Sequence, residues 1–349
     1  MLDTFMVKIK LTTNQRNLIY NAVNAFVKET GSKSCLYLKK AKKHCRWYVT
    51  AAFNDKGILE LAIEDYWYPG NRGSILYLKC KPAQVLHFGE VYALSDYIDY
   101  AGSACLVDAF ITRLNQYMPE EHLEPLAEWK VHRIDYAYQF RTEEYDLYMA
   151  LMQKQCPNRE NCYSDSIYIK KSKYHINFYN KTKKLKRNET SHVLRFEVQC
   201  NADYLYKMRA EERIQGLSLR DLWKEEIAAE IVKKKMIKVI GYGDFYSVET
   251  AIPVLQEATN TRFCEKEAMI MLMRLSLHPL ANKDLIWDEF ALAGGLEEVD
   301  IKFRKRIEHL QKRLNINLVA IPESIKITKL LNPVKMIPEF EKIRDNGDL

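Results

Sequence analysis

The stretch Val131-His-Arg-Ile-Asp-Tyr-Ala-Tyr-Gln-Phe140 decides the fold of the first part of this chain. Ile134 and Tyr136 alternate with Arg133 and Asp135, and this period of two residues is typical of a β-strand with one apolar and one polar face. The pattern therefore predicts a strand that is buried on one side and carries charged groups on the other.

Two later segments, 174–181 and 193–199, show the same alternation. Their polar positions are His175, Asn177, Tyr179 and Lys181 in the first and Arg195, Glu197 and Gln199 in the second. If these strands are neighbours in an antiparallel sheet, their polar faces coincide. The sequence then predicts one surface that carries Asp135, Tyr179, Lys181, Arg195 and Glu197.

Carboxylates, a tyrosine and several cations on one surface are what metal-assisted attack on a phosphodiester needs. A free tyrosine ionises near pH 10, so it is a weak nucleophile at neutral pH unless its surroundings activate it. We expect Asp135 and Glu197 to hold Mg²⁺ or Mn²⁺, because these ions prefer oxygen ligands. Lys181 would stabilise the phenolate of Tyr179 or protonate the leaving 3′ oxygen.

Two arginines on the same predicted face, Arg133 and Arg195, suit a clamp on the phosphate. The alternative is a sheet face covered by ordinary ion pairs, Asp135 with Arg195 and Glu197 with Arg133. Such pairs are worth at most about 1 kcal/mol each if they are exposed.

The segment between Asp165 and Glu189 contains no acidic residue and is rich in lysine and aromatic side chains. Cations interleaved with rings are typical of a groove for single-stranded nucleic acid. The predicted DNA contacts are Lys170, Lys171, Lys173, Lys183 and His175, together with Arg133 and Arg195. The alternative is a hairpin edge that its lysines protect from aggregation.

The order of predicted elements indicates an α+β chain with an antiparallel sheet, an internal duplication and a helical end. A strand at 6–11 and a helix at 14–28 begin a series that restarts at 131, after a long helix predicted at 95–117. Lys8-Ile-Lys10 matches Arg133-Ile-Asp135, and Tyr77-Leu-Lys79 matches Arg195-Phe-Glu197. If the duplication is real, the first copy has lysines where the second has carboxylates, so only the second copy could hold a divalent metal. Chance similarity between short strands is the alternative.

After residue 213 the pattern changes to helices. Ser218 followed by Asp221 resembles a capping box at the start of a predicted helix over 219–235. A later helix over 301–314 carries six cations, some of them spaced for contact with a duplex backbone. The predicted domains are a nicking domain at 1–213 and a helical domain at 214–340, followed by a frayed tail at 341–349.

The composition excludes several classes of protein. The 349 residues are too many for one ordinary core, and the net charge of +7 favours a polyanionic partner. The eight cysteines are scattered, which argues against a disulfide framework. The gap between Cys156 and Cys162 is wider than that of a usual structural zinc pair. No membrane span or signal peptide is apparent. The sequence therefore predicts a protein of the bacterial cytoplasm with no membrane partner.

The three motifs in their order resemble those of the gene-two and gene-ten replication proteins of filamentous phages. The motifs are Val131–Tyr138, His175–Lys181 and Val193–Gln199. They are also similar to the Arg-x-Asp, Tyr-x-Lys and Arg-x-Glu motifs of plasmid rolling-circle initiators. Upstream, Lys79-Cys-Lys-Pro-Ala-Gln-Val-Leu86 is similar to a Lys-x-x-Pro-Ala-x-Val-Leu segment of the phage proteins. The resemblance covers roughly residues 5 to 210.

This resemblance implies a site-specific endonuclease and strand transferase that starts rolling-circle replication of a phage or plasmid. It implies a nick at a double-strand origin, a 5′-phosphotyrosyl link to Tyr179 and a free 3′-OH. Asp135 and Glu197 would be the metal ligands and Lys181 a supporting cation. None of the eight histidines forms a His-x-His pair, which makes an acidic metal site the expectation.

The expected partners are the origin as duplex and as single strand, and the helicase and polymerase of the host. Two alternatives remain open. A conjugative or mobilisation relaxase would use the same tyrosine chemistry, whereas a non-enzymatic origin-binding protein would not need Tyr179.

Overall fold

A computed structural model describes residues 2–30, 36–41, 44–49, 58–68, 71–82, 112, 115, 121–156, 162–163, 165–184 and 192–337. The predicted tail at 341–349 and nearly all of the predicted helix at 95–117 lie outside these residues. Within them the chain is a mixed α/β protein with a large antiparallel sheet and a series of C-terminal helices, as the sequence predicts.

The sheet has ten strands. Their bounds are β1 Leu2–Leu11, β2 Leu36–Ala41, β3 His44–Val49, β4 Ile58–Tyr68, β5 Asn71–Cys80, β6 Lys130–Thr142, β7 Cys162–Tyr163, β8 Ser166–Lys170, β9 Tyr174–Asn180 and β10 His192–Asn201. Their order across the sheet is β2-β3-β4-β5-β1-β6-β10-β9-β8-β7.

This order supports the predicted internal duplication. Helix α1 (Thr13–Thr30) follows β1, and helix α2 (Tyr145–Gln155) follows β6. Each copy among the described residues is thus one strand, one helix and four further strands, and the second copy has in addition a short helix, α3 (Lys181–Lys184), between β9 and β10. The first strands of the two copies pair with each other, and the other four follow outward in reverse chain order on either side.

The remaining helices follow in chain order. Their bounds are α3 Lys181–Lys184, α4 Ala202–Ala210, α5 Leu219–Leu222, α6 Glu225–Ile240, α7 Val248–Glu257, α8 Phe263–Ser276, α9 Lys283–Ala293 and α10 Ile301–Leu314. Two short strands, β11 (Phe245–Tyr246) and β12 (Lys329–Leu330), pair in antiparallel orientation and form a separate two-stranded sheet. No helix among the described residues has the length and apolar content to cross a bilayer.

The predicted capping box is confirmed, because Ser218 accepts from the Asp221 backbone and the Asp221 side chain accepts from the Ser218 backbone. The single helix predicted over 219–235 is wrong, because it is two helices that break at Trp223. The Trp223 ring is buried against Phe5, with ring centroids 5.5 Å apart, and its backbone leaves the helical region. Burial of this large ring outweighs continuation of the helix.

The chain divides into two compact units, and each is described by itself. The first comprises Met1–Tyr138, Lys170–His175 and Glu197–Glu230. Its segment before α5 pairs with the start of β6, since the Val131 backbone N–H donates to Leu217 O at 2.8 Å and Lys130 forms a β-bridge with Ser218. The Tyr136 hydroxyl donates to the Leu222 carbonyl at 2.6 Å.

The second unit comprises Gln139–Ile169, Ile176–Phe196 and Ile231–Leu349. Its helices α7 to α10 surround an apolar core that includes Met269, Trp287 and Ile307. The predicted domain boundary between residues 213 and 214 stays a prediction.

Candidate active site

A buried aspartate lies on the polar face of β6, in the first unit. Asp135 is 1% exposed, and Arg133 binds it with two hydrogen bonds, Nε to Oδ1 at 2.8 Å and Nη2 to Oδ2 at 2.5 Å. A bidentate pair of this kind fixes the orientation of the carboxylate. Arg133 was predicted to contact a phosphate, but in the structure its guanidinium is bound by Asp135.

A β-bulge brings a second carboxylate to this point. Strand β1 pairs with β6 so that Leu2 lies opposite Tyr136 and Thr4 lies opposite Asp135, which leaves Asp3 as an extra residue. An extra residue of this kind re-aims its side chain. Sequence reasoning missed Asp3, because strict alternation along β1 gives no sign of the bulge. The signal available was the single acidic residue of β1, next to its first residue.

The third carboxylate is Glu197 of β10. Oxygen atoms of Asp3, Asp135 and Glu197 lie within 4.8 Å of one another. Glu197 is buried and accepts a hydrogen bond from Gln199 Nε2 at 2.9 Å. The structure thus brings together the two predicted ligands and adds a third acid from the other copy of the duplication.

The electrostatics of this cluster favour a bound cation. Burial raises the pKa of Asp135 to about 7, against the lowering effect of Arg133, and the neighbouring Glu197 and Asp3 raise it further. Three converging carboxylates repel one another in a poorly solvated place. A divalent ion with hard oxygen ligands would relieve this repulsion, and carboxylates are the ligands that Mg²⁺ and Mn²⁺ prefer. The residues present therefore fit such an ion.

His175 lies at the start of β9 in the same unit. Burial lowers its pKa, Gln199 opposes this through a hydrogen bond, and the nearby Lys170 and Arg133 lower the pKa further. The imidazole is therefore held toward its neutral form. Through Gln199 it connects to Glu197.

The lysines of the β8–β9 turn are exposed. Lys170, Lys171 and Lys173 stand at the tip of this hairpin. Asn201 holds the tip, because its side chain donates to Ser172 O at 2.8 Å. The tip is a rigid, basic surface suited to phosphates. Its predicted role in DNA binding stays a prediction.

Tyr179 lies on β9 within the second unit. The strand alternates as predicted, with Ile176, Phe178 and Asn180 buried and Tyr179 half-buried between Phe178 and Asn180. The Lys184 ammonium lies 4.4 Å from the centroid of the Tyr179 ring. Sequence reasoning did not single out Lys184 as the partner of the tyrosine.

An open cleft surrounds this tyrosine. Its lining includes Tyr168, Asn177, Lys183 and Lys184, with Asp165 at the edge. The Lys183 ammonium lies 4.8 Å from the centroid of the Tyr145 ring. The cleft therefore combines rings and cations around Tyr179.

The predicted position of Lys181 is wrong. β9 ends at Asn180, and Lys181 is the first residue of α3 rather than the next polar position of the strand. Asn180 ends the strand because its side chain accepts a hydrogen bond from the Lys183 backbone at 2.9 Å, which caps the short helix. Lys181 is buried, at 8% exposure.

Arg195 is also buried, at 1% exposure, although it was expected to contact a phosphate. Strand β10 is buried on both faces over most of its length, so the sequence alternation does not separate an inside from an outside there. This burial favours a structural role for Arg195. Its predicted phosphate contact remains untested.

The expectation that Cys156 and Cys162 do not form a zinc pair stays a prediction. Cys156 is buried, and Cys162 is half-buried. Among the described residues, Asp3, Asp135 and Glu197 form the cluster of potential metal ligands.

Comparisons with known proteins add little to this geometry. No protein-family model matches the chain, and no curated protein sequence does. Among solved structures the chain is similar to the rolling circle replication initiator protein from Geobacillus stearothermophilus. The two share 14% sequence identity, the similarity covers 67% of this chain and 83% of that one, and the TM-score is 0.31. A likeness at this level does not assign an activity, so the function has to be argued from the site.

Proposed function

We propose that this protein nicks one strand of DNA at a double-strand origin and so starts rolling-circle replication of a phage or plasmid. The observation that carries the proposal is the convergence of Asp3, Asp135 and Glu197 within 4.8 Å, two of them buried. Buried carboxylates without a cation are costly, so a cluster of this kind is typical of a metal-dependent site.

In this proposal Asp3, Asp135 and Glu197 hold Mg²⁺ or Mn²⁺. When bound, such an ion supplies Lewis-acid polarisation of a phosphate oxygen. Arg133 keeps the Asp135 carboxylate in a fixed orientation through its two hydrogen bonds. Gln199 orients Glu197 through the hydrogen bond from its Nε2.

Tyr179 is the proposed nucleophile. Its phenol oxygen forms a bond to the scissile phosphorus, and the bond from phosphorus to the 3′ oxygen breaks. The phenol proton is lost and the 3′ oxygen gains one, so that the products are a 5′-phosphotyrosyl link and a free 3′-OH. Lys184, 4.4 Å from the ring centroid, stabilises the negative charge that develops on the phenol oxygen.

The basic surfaces are proposed to hold the substrate. Lys170, Lys171 and Lys173 bind phosphates, and His175 lies beside them on the same hairpin. Lys183 lines the cleft of Tyr179, where an unpaired base can stack on a ring. The helicase and polymerase of the bacterial host would then unwind the duplex and extend the 3′-OH.

The experiment is incubation of the full chain with a supercoiled plasmid that carries the DNA flanking its own gene. Reactions contain Mg²⁺, Mn²⁺ or EDTA. We expect nicked circles and a covalent protein–DNA adduct with either metal, and neither product in EDTA. Tyr179→Phe loses both products and keeps DNA binding, because only the hydroxyl is removed.

Tyr168→Phe is the matched control, since Tyr168 lines the same cleft. It keeps nicking activity if Tyr179 is the nucleophile. Adduct formation by Tyr179→Phe would assign the nucleophile to another tyrosine. DNA binding by the parent without any nicking in metal would favour the non-enzymatic origin-binding protein.

A further inference from the structure

The second unit contains a cavity that the proposed nicking chemistry does not use. Its volume is about 240 Å³. Its lining includes Gln155, Lys238, Tyr242, Lys283, Trp287 and Gln311. The side chains come from the ends of α2 and α6, from one face of α9 and α10, and from the segment after α10.

One wall of the cavity carries a polar group that the fold does not use. Gln311 of α10 is 6% exposed and lines the cavity. Within the described part of the chain its side-chain amide makes no hydrogen bond, and neither of its polar atoms is among the buried ones that are closed off from solvent. The amide therefore keeps its donor and its acceptor available to a molecule in the cavity.

A second amide lies beside it. Gln155 is also 6% exposed, and its Nε2 donates to Asn317 Oδ1. Asn317 is held in turn, because its Nδ2 donates to Ile240 O at 2.9 Å and its Oδ1 accepts from the Val319 backbone at 3.0 Å. This network fixes Gln155 and leaves its Oε1 with capacity to accept. The cavity therefore offers one complete amide and one further acceptor.

The rest of the lining suits a flat ring that carries an anionic group. Trp287 and Ile286 supply apolar surface, and Tyr242 is a half-buried ring. Lys238 and Lys283 are the cations of the lining, and Glu308 is its single carboxylate. A third ammonium, that of Lys312, lies 5.7 Å from the centroid of the Tyr242 ring. The balance of charge around the opening is positive.

The size of the cavity limits the ligand. Pockets for drug-sized molecules begin at about 300 Å³, and this one is smaller. It holds a single ring system rather than a dinucleotide. A glutamine amide pairs with adenine through one donor and one acceptor, which match N7 and the N6 amino group.

We propose that this cavity binds one unpaired nucleobase with its 5′-phosphate, and that it prefers adenine. The Gln311 amide pairs with the base edge, Gln155 Oε1 accepts from the amino group, and Lys238 and Lys283 contact the phosphate. The site goes beyond the proposed nicking function and does not depend on it. It provides a place for a base of single-stranded DNA at a position separate from Tyr179 along the chain.

The experiment is isothermal titration calorimetry of the full chain in EDTA with dAMP, dTMP and inorganic phosphate as probes. We expect dAMP to bind and dTMP to bind about tenfold more weakly, the size of one well-made amide–base pair. Inorganic phosphate alone binds weakly, because the ring contacts are missing. Tyr179→Phe binds dAMP like the parent, so failure of the nicking proposal leaves this result unchanged.

Gln311→Met is the test variant. It keeps the volume of the side chain and removes the amide, so it weakens dAMP binding about tenfold. The melting temperature does not fall, since no hydrogen bond within the fold is lost. The matched control is Gln256→Met, because Gln256 is exposed on α7 and does not line the cavity. This control binds dAMP like the parent.

Four results would overturn the proposal. The first is no binding of dAMP to the parent at millimolar concentration. The second is equal affinity of the parent and Gln311→Met. The third is binding of phosphate as tight as that of dAMP, which would make the cavity an anion site only. The fourth is a lower melting temperature of Gln311→Met, which would assign the amide a structural role.

Discussion

Replacement of Asp135 by asparagine is expected to stabilise the metal-free protein at neutral and alkaline pH. The Asp135 carboxylate is 1% exposed and lies close to two other carboxylates. Asparagine keeps the shape and a hydrogen-bonding oxygen but removes the charge. If the cluster is built for a cation, its ionised form destabilises the fold until the cation binds.

The magnitude follows from the pKa of Asp135. Burial raises that pKa from 3.8 to about 7. The folded state therefore holds the proton more tightly than the unfolded state, and this contribution to stability is fully present only below pH 3.8. It is lost as the pH rises from there through 7, at a total cost of roughly 4 kcal/mol. Between pH 5.5 and 7.5 the change is roughly 2 kcal/mol.

The assay is urea unfolding of the parent and Asp135→Asn in EDTA at pH 5.5, 6.5 and 7.5. The variant gains stability relative to the parent as the pH rises, by roughly 2 kcal/mol over this range. Asp288→Asn on the exposed side of α9 is the control, and it shows no such pH-dependent gain. The comparison isolates the buried carboxylate from general effects of charge.

A second arm adds Mg²⁺ or Mn²⁺ at pH 7.5. The parent is stabilised by the metal, since only the folded state presents the three carboxylates together. Asp135→Asn is stabilised much less. If the variant is instead less stable than the parent at pH 7.5 in EDTA, the ion pair with Arg133 is structural and the interpretation of the cluster as a cation site is refuted.

Three further predictions concern other parts of the chain. Lys302→Ala combined with Lys305→Ala on α10 flattens the slope of log affinity for duplex DNA against log salt by about 1.8, if each of these exposed lysines contacts a phosphate, and filter binding at several salt concentrations measures this. Asp244→Asn lowers the unfolding free energy at pH 7 by roughly 1–3 kcal/mol. Burial alone would raise the pKa of Asp244, but hydrogen bonds, the largest of them from Lys335, hold this pKa below its ordinary value. The stability that the Asp244 carboxylate contributes is therefore present above about pH 4 and is lost as the pH falls. Acid unfolding of the parent and of Asp244→Asn measures this loss. Lys184→Met slows adduct formation by Tyr179 without weakening DNA binding, and a quenched-flow time course measures the rate.

Fewer cations of α10 are available to contact duplex DNA than its sequence indicates. Six cations lie on this helix, but Arg306 pairs with Glu265 at 3.2 Å and Arg313 bonds to the loop at Thr259 and Thr261. Arg304 lies over the Trp287 ring. The period of 3.6 residues shows where charges lie on a helix, and it does not show which charges the neighbouring helices already engage.

The sequence predicted most of the sheet because alternation is a local property. Strand β6 was expected at 131–140 and spans Lys130–Thr142, and helix α10 has the predicted bounds. Such signals depend on neighbours in the chain, so they need no knowledge of tertiary contacts. The predicted strand position of Lys181 was wrong because Asn180 caps a short helix that begins at Lys181, and the alternation along the strand does not reveal this helix.

The acidic cluster shows what period two cannot predict. Asp135 and Glu197 were identified, since each lies on a strand with a regular pattern. Asp3 was missed, because a bulge moves it to the same point and a bulge depends on how β1 pairs with β6. Pairing between strands distant in sequence is not encoded in either strand alone.

The position of Asp3 also bears on the origin of the site. The first predicted copy has Lys10 and Lys79 where the second has Asp135 and Glu197, so it carries no such pair of carboxylates. It nevertheless contributes Asp3 to the cluster of the second copy, through the pairing of the first strands of the two copies. A second copy standing alone would present two carboxylates and no strand β1 to bring the third. The pairing of β1 with β6 therefore does more than extend the sheet, because it completes the candidate metal site.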